Sequence, residues 1–279
     1  MSTTTISRPR AAIDARASRR RDLGLLRRQI GYEQRAYWRN RGRSVFTFAF
    51  PLLYLVVFAS LEKGQRASSV GGRIPYDDFL IPGILAFAVI MTTFTNIASS
   101  TAILRDQGVL KRMQGTPLPR WIYVAARIGS TFLVALLQAV IVIAGGAIIW
   151  GASVRASAVP GIVVTLLLGS AAFTTLGIGC VRFVRSAESA PMIANLAVFP
   201  LTFISNIWYQ GDTLPKVLRT IADVFPVKNL AVSFQYAFNP HRHGLSFDGH
   251  ALLNLAIWTA IGVWLMLRFL RQPLGDVAS

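Results

Sequence analysis

Six apolar stretches with uncharged centres leave this chain few folds to choose from. They cover residues 44–61, 79–104, 122–150, 158–181, 190–209 and 251–270 of 279. A bilayer hydrocarbon core takes roughly 20 apolar residues of helix to cross. At that depth every backbone N–H and C=O must be paired within the segment, so helices are the expected form. The pattern predicts an all-α integral membrane protein with six transmembrane helices. Pro51 inside the first span is tolerable where neighbouring groups satisfy the freed carbonyl. Arg127, a turn or two inside the third span, is expected to snorkel to the interface. Only 15% of residues are charged, against about 25% in soluble domains, which is too little to clothe a core of this size.

The net charge of +17 would in a soluble chain suggest nucleic acid. Here 12 of the 29 Lys and Arg lie in residues 1–43 and most others in short loops. That distribution suits an anionic lipid surface and excludes a nucleic-acid partner. Counted by side, 21 basic residues fall with the amino terminus and 8 opposite, so both termini are expected in the cytoplasm. The single cysteine, Cys180, excludes an internal disulfide framework and a cysteine-based zinc cluster.

Residues 1–20, rich in Ser, Thr, Arg and Pro, are expected to form a disordered tail, and 273–279 a second cytoplasmic tail. Between Arg21 and Arg43, Leu23, Leu26, Ile30 and Tyr37 share a helical face with Trp38 beside them, and arginines fill the rest. This predicts an interfacial amphipathic helix, apolar face down; the plainer alternative is a basic segment that only helps set topology. In the loop after the second span, Val109, Leu110 and Met113 make an apolar ridge among Asp106, Lys111 and Arg112, and Gly115, Pro117 and Pro119 end any helix. Such a ridge fits either a groove on a soluble partner or the membrane surface. The outer loop 210–250 carries Leu214, Val217, Leu218 and Ile221 at helical spacing after Thr213 and Pro215, then the apolar run 229–238. Short helices dipping into the outer leaflet are expected there.

Chemistry-bearing residues are sparse. No phosphate-binding G-x-x-x-x-G-K-[ST] occurs, so no ATP site is expected on this chain. His241, His243, Asp248 and His250 form a loose outer group, read as a solvated loop rather than a metal site. Asp77 and Asp78 are paired acids that equally suit a helix start. Glu188 is expected to pair with Arg182 or Arg185. Asn96, Gln138, Asn195 and Asn206 are the span residues expected to face other helices or a pathway. Gly169, Ser170, Ala171, Ala172, Thr174 and Thr175 give the fourth span a small-residue face. The outer acids and histidines admit a membrane-bound enzyme of lipid or glycan metabolism as one reading. A passive anchor would explain the docking loop but not the polar and small-residue faces.

Two segments carry a family likeness. After the second span stand Asp106, Gly108, Leu110, Lys111, Arg112 and Met113, then Thr116 and Pro117; before the last span stand Leu214-Pro215, Leu218, Ile221 and Pro226-Val227. Together they resemble the type-2 permease family of ABC exporters, in particular its drug- and polyketide-resistance branch. The likeness covers about residues 21–272 and departs after Val227, where Lys228-Asn229-Leu230 replaces the usual ending. It implies a permease that binds no cofactor itself. It would work as a dimer, with a second copy or a sister permease, beside a separate ABC ATPase subunit that holds ATP and magnesium. Asp106 to Pro117 would form the coupling helix on that ATPase, and export follows from the resemblance. The mostly apolar, aromatic spans favour a lipophilic drug, lipid or lipid-linked molecule.

Overall fold

The computed structural model describes residues 10–61, 66–69, 72–115, 119–151, 155–208, 215–239 and 248–271. The chain is almost entirely helical, with one short antiparallel hairpin, β1 (Arg66–Ser69) and β2 (Gly72–Pro75). Among the described residues, five segments are long and apolar enough to cross a membrane: Arg41–Phe58, Phe79–Asp106, Trp121–Ile149, Ala156–Phe183 and Gly249–Leu270. They coincide closely with α2 (Arg41–Leu61), α3 (Tyr76–Ile90) with α4 (Asn96–Asp106), α6 (Arg120–Trp150), α7 (Val159–Cys180) and α11 (Gly249–Arg271).

The expected fifth span differs. Its helix, α8 (Ala190–Ile204), has only 15 residues, about 22 Å at 1.5 Å per residue. The helix stops at a turn in which Asn206 adopts a φ of 61°. The chain then folds inward, burying Ile207 and Trp208. Ile207 lies so close to α3 that a Cβ on Gly83 would stand 2.5 Å from the Ile207 carbonyl oxygen. Only a residue without a side chain admits that contact.

The second span is the centre of the bundle, with Leu80, Ile84, Leu85 and Ile90 fully buried. One π-helical turn, Met91–Thr95, separates α3 from α4. Around it pack α6, α7 and α10 (Pro226–Phe238). The run 229–238 expected at the outer leaflet is mostly inside α10 and largely buried: Leu230 and Phe234 are at 0% exposure. Its partner α9 (Lys216–Val224) instead exposes Val217, Leu218, Ile221 and Val224. The expected threonine cap at Thr213 lies outside the described residues.

The small-residue face of α7 is where other elements come closest. Gly177 meets the Phe94 carbonyl of the π turn, and Gly262 of α11 meets Thr175. On the outside, Phe46, Leu53, Leu137, Val140, Leu196, Ile257 and Trp264 are exposed. A belt of bare apolar side chains around a packed interior is the arrangement a lipid solvent permits and water does not.

The amino-terminal helix α1 (Arg10–Arg39) begins inside the segment expected to be a disordered tail. Ala11, Ala12, Ala15 and Ala17, with Arg16, Arg19 and Arg20, explain this. They cannot build a core, but they rank among the best intrinsic helix formers. The apolar face of α1 also has a different use from the one expected. Ile30 packs on Gly129 of α6, and the Gln34 amide donates to the Ser130 carbonyl at 2.8 Å. Leu26 and Tyr37 are half-buried, while Leu23 is 63% and Trp38 44% exposed. The helix lies on protein through this face, while Leu23, Tyr32 and Trp38 keep much of their surface exposed.

Candidate functional site: a polar cleft and a clamped basic end

Polar groups within an apolar bundle must find one another, because hydrocarbon offers no partner. The π turn organises that search. Gln138 of α6 accepts from the Thr92 hydroxyl at 3.1 Å and donates to the Thr47 carbonyl of α2 at 2.9 Å. One turn away, the Thr95 hydroxyl donates to Asn195 Oδ1 of α8 at 3.3 Å. Gln138, Asn195 and Asn96 border a single cavity of about 320 Å³. Three of the four polar residues singled out from sequence therefore meet. The fourth does not: Asn206 lies in the turn after α8, its carbonyl accepting from Gln235 Nε2 at 2.8 Å.

The rest of the cavity lining is apolar and mostly aromatic, with Phe46, Phe50, Phe87 and Phe199 beside Pro51, Ala88 and Met91. The aromatic lining continues beyond it: Trp208 stands 5.1 Å from Phe87, 5.1 Å from Phe58 and 5.3 Å from Tyr54 by ring centroids. Thr92 and Thr95 were not picked out from sequence. The Thr92-Thr93-x-Thr95-Asn96 cluster in mid-span was the available signal, but nothing in it announced a π turn. Replacing Gln138 by leucine removes both bonds and leaves the Thr47 carbonyl without its donor. A loss of about 1–3 kcal/mol is expected, read as a lower unfolding temperature in detergent; an unchanged temperature would remove this network from the fold.

A different arrangement forms the basic end of the bundle. Gly108, with φ 68°, turns the chain between α4 and the short α5 (Val109–Gln114), a conformation that favours glycine. The ridge expected to be free on α5 is not free. Leu110 is 3% exposed, packed with Ile97, Tyr123, Val184 and Met266, and Met113 rests on the same cluster. Burying this ridge inward presents Lys111 and Arg112 outward instead. Thr116 and Pro117 lie outside the described residues.

Arg105, absent from the sequence reading as a functional residue, holds this end together. Its guanidinium donates to the carbonyls of Val181, Val184 and Arg185 at 3.1, 2.6 and 3.1 Å. It also pairs with Asp106 at 2.9 Å. The other oxygen of Asp106 accepts from the Ala187 backbone N–H at 2.7 Å. The α4 terminus thus grips the turn that joins α7 to α8. Glu188, expected in an ion pair with Arg182 or Arg185, is exposed, and Asp106 takes the acidic role at this end. Phe183 in the same turn is 67% exposed.

Arg127 is likewise corrected. It does not snorkel: it is 5% exposed and pairs with Glu33 of α1 at 3.0 Å. Its Nε donates to the Tyr123 hydroxyl at 3.3 Å. Glu33 supplies the counter-charge from outside the span, a pairing that span-by-span reading cannot see.

Most side chains of the enzyme alternative lie outside the described part of the chain. His241 and His243 lie outside the described residues, as do the side chains of Asp77 and Asp78. Asp248 accepts from the backbone N–H of His250 and Ala251, capping α11. Among the described residues no group of three His, Cys, Asp or Glu stands together as a metal site.

The comparisons agree with this architecture. The model of the ABC-2 type transporter family matches residues 25–239, more than half the chain. The chain belongs to that family. The inner membrane transport permease YadH of Escherichia coli K12 is 23% identical over 186 residues, covering 67% of this chain and 71% of YadH. The daunorubicin resistance ABC transporter permease protein DrrB1 of Streptomyces coeruleorubidus is 26% identical over 191 residues, 66% of this chain and 64% of DrrB1. This is accordingly a multi-pass membrane permease of an ABC transporter.

Proposed function

We propose that the chain is the permease subunit of an ATP-driven exporter of a lipophilic molecule, with ATP and magnesium held by a separate ATPase subunit. Residues 21–272 form the permease unit, with both termini in the cytoplasm. The basic end then faces the cytoplasm, in keeping with the excess of Lys and Arg there. On this reading α8 and the turn after it complete a sixth span, and α9 with α10 stand at the outer leaflet. A second copy or a sister permease completes the transporter.

The observation that carries this reading is the clamped basic end. A short helix presents Lys111 and Arg112 outward while Arg105 and Asp106 tie its base to the α7–α8 turn. A push on α5 by a closing ATPase would be passed to three spans through that clamp. The cargo's lipophilic character is supported by the aromatic walls of the cavity and its continuation to Trp208. DrrB1, named for daunorubicin resistance, supports a drug as cargo.

Co-purification with the partner ATPase tests it. Lys111→Glu with Arg112→Glu reverses the exposed charge without touching the buried Leu110. Exposed ion pairs contribute about 0–1 kcal/mol each, so recovery of the ATPase is expected to fall several-fold, with ATP-dependent transport falling in step. Undiminished recovery and transport in the double variant would remove α5 as the docking element. Absence of any ATPase partner for the wild-type chain would remove the exporter.

A further inference from the structure

A guanidinium held in an apolar helix is stable only when its N–H groups find acceptors. Arg127 satisfies this in part. Nη1 meets Glu33 and Nε meets Tyr123, but Nη2 is buried and makes no hydrogen bond among the described residues. The Tyr37 hydroxyl, on the neighbouring α1, is also buried without a partner; Thr47 approaches it without the geometry of a hydrogen bond. Burial pushes the Tyr37 hydroxyl above the usual phenol range, opposed by Thr47 and Arg43, so it remains a donor at neutral pH.

Both residues border one cavity of about 200 Å³ between α1, α4 and α6, and Arg43 borders it too. The charged groups around it are Glu33, Arg43 and Arg127, one negative against two positive. The wall carries a surplus positive charge, and two of its residues, Arg127 and Tyr37, each hold one buried, unpaired donor. At Thr92 and Asn96 this cavity meets the larger aromatic one, for both residues border each of them. The cleft is therefore charged at one end and apolar at the other.

We propose that this cleft binds an anionic amphiphile. Its carboxylate or phosphate head sits beside Arg43 and draws Arg127 Nη2 and Tyr37 Oη round to donate to it, and its apolar body lies among Phe46, Phe50, Phe87 and Phe199. This rests on the transporter reading above for its purpose, but not for its chemistry. A cationic amphiphile would be repelled by the surplus positive charge, a neutral one would leave that charge uncompensated, and a small hydrophilic anion would leave the aromatic cavity unfilled. Glu33 holds Arg127 in place and competes with the ligand for it.

The test uses the full-length protein in phosphatidylcholine nanodiscs, titrated with oleate and with methyl oleate, the uncharged form of the same chain. The wild type is expected to bind the acid about tenfold or more tightly than the ester, the effect of one charged hydrogen bond. Tyr37→Phe is expected to weaken the acid several-fold and leave the ester unchanged. Glu33→Gln removes the competitor and is expected to tighten the acid, a direction that a purely structural ion pair would not produce. Arg127→Gln strands Glu33 and risks misfolding, so the preference is removed in Glu33→Gln/Arg127→Gln, where acid and ester should bind alike. Equal binding of acid and ester by the wild type, or Tyr37→Phe and Glu33→Gln both without effect on the acid, would overturn the proposal.

Phosphatidic acid as competitor and vesicles containing the partner ATPase then separate the sources of the head group. ATP-dependent appearance of the oleate chain on the far side marks the ligand as cargo. Binding displaced by phosphatidic acid and unmoved by ATP marks a resident lipid. Both outcomes uphold the site, whereas binding without ATP-driven movement of any amphiphile would tell against the exporter alone.

Discussion

Gly262→Leu is expected to deprive the protein of its folded bundle. A Cβ at this position of α11 would lie 2.3 Å from Thr175 Oγ1, 3.1 Å from Thr175 Cβ and 3.0 Å from the Leu176 backbone nitrogen. Thr175 cannot easily yield, because its hydroxyl is held by the carbonyls of Ala171 and Ala172 at 2.7 and 3.0 Å. The helices would have to move apart. Inside a bilayer, association of helices depends on close van der Waals packing at small residues, since no hydrophobic drive replaces it. Overpacking a tight site costs about 1–3 kcal/mol and at times more, and leucine adds three carbons beyond the clashing Cβ. Size-exclusion profiles and thermal unfolding in detergent should show aggregation or a greatly lowered transition. Gly31→Ala is the control of opposite sign. Nothing lies within 4 Å of a Cβ there, and helix propensity alone should stabilise by about 0.5–1 kcal/mol. A Gly262→Leu protein as stable as the wild type would mean that α7 and α11 do not cross where the structure places them.

Arg105→Ala is expected to disconnect ATP hydrolysis from transport. The side chain spans from α4 to three carbonyls of the turn joining α7 to α8, and it is 9% exposed. Hydrogen bonds from a charged donor contribute about 1.5–3 kcal/mol, with a further penalty where carbonyls are left bare. The pair with Asp106 adds little, because Asp106 is 37% exposed and water screens it. A net destabilisation of about 2–4 kcal/mol follows, most of it from the carbonyls. Lysine is no substitute, for it carries the charge but not the planar fork that reaches several acceptors at once. In the reconstituted complex the ATPase should still bind through Lys111 and Arg112 and still turn over. Transport should fall about tenfold or more, as expected when an interaction of this size is lost from a coupling element. Full transport by Arg105→Ala would show that the stroke bypasses this turn.

Much of the architecture was legible before any coordinates. Lipid imposes a one-dimensional rule, so stretches of about 20 apolar residues predicted five of the spans directly. The short helix carrying Lys111 and Arg112 could be placed because Gly115, Pro117 and Pro119 act locally to end it, whereas the turn at Gly108 came only with the fold. Asn96, Gln138 and Asn195 were recognisable as residues needing partners, since an amide in hydrocarbon must be paired wherever it is. Which partners they took was a matter of three dimensions. The π turn at Met91–Thr95 shifts the face of α4 relative to α3, and that shift puts Thr92 against Gln138 and Thr95 against Asn195.

The remaining decisions came from contacts between residues far apart in the chain. Arg127 is buried rather than snorkelling because Glu33, 94 positions away, supplies its counter-charge. Leu110 turns inward because Ile97, Tyr123 and Met266 leave a place for it, and so α5 shows its charges rather than its ridge. The fifth apolar stretch ends its helix early because Ile207 finds a bare glycine at Gly83. Sequence alone determined the solvent this chain requires and the segments that meet it, for both follow from each residue's own transfer free energy. Tertiary structure decided which polar and charged groups are satisfied and which are left open to a ligand, because satisfaction belongs to pairs, and no single position in the sequence records its pair.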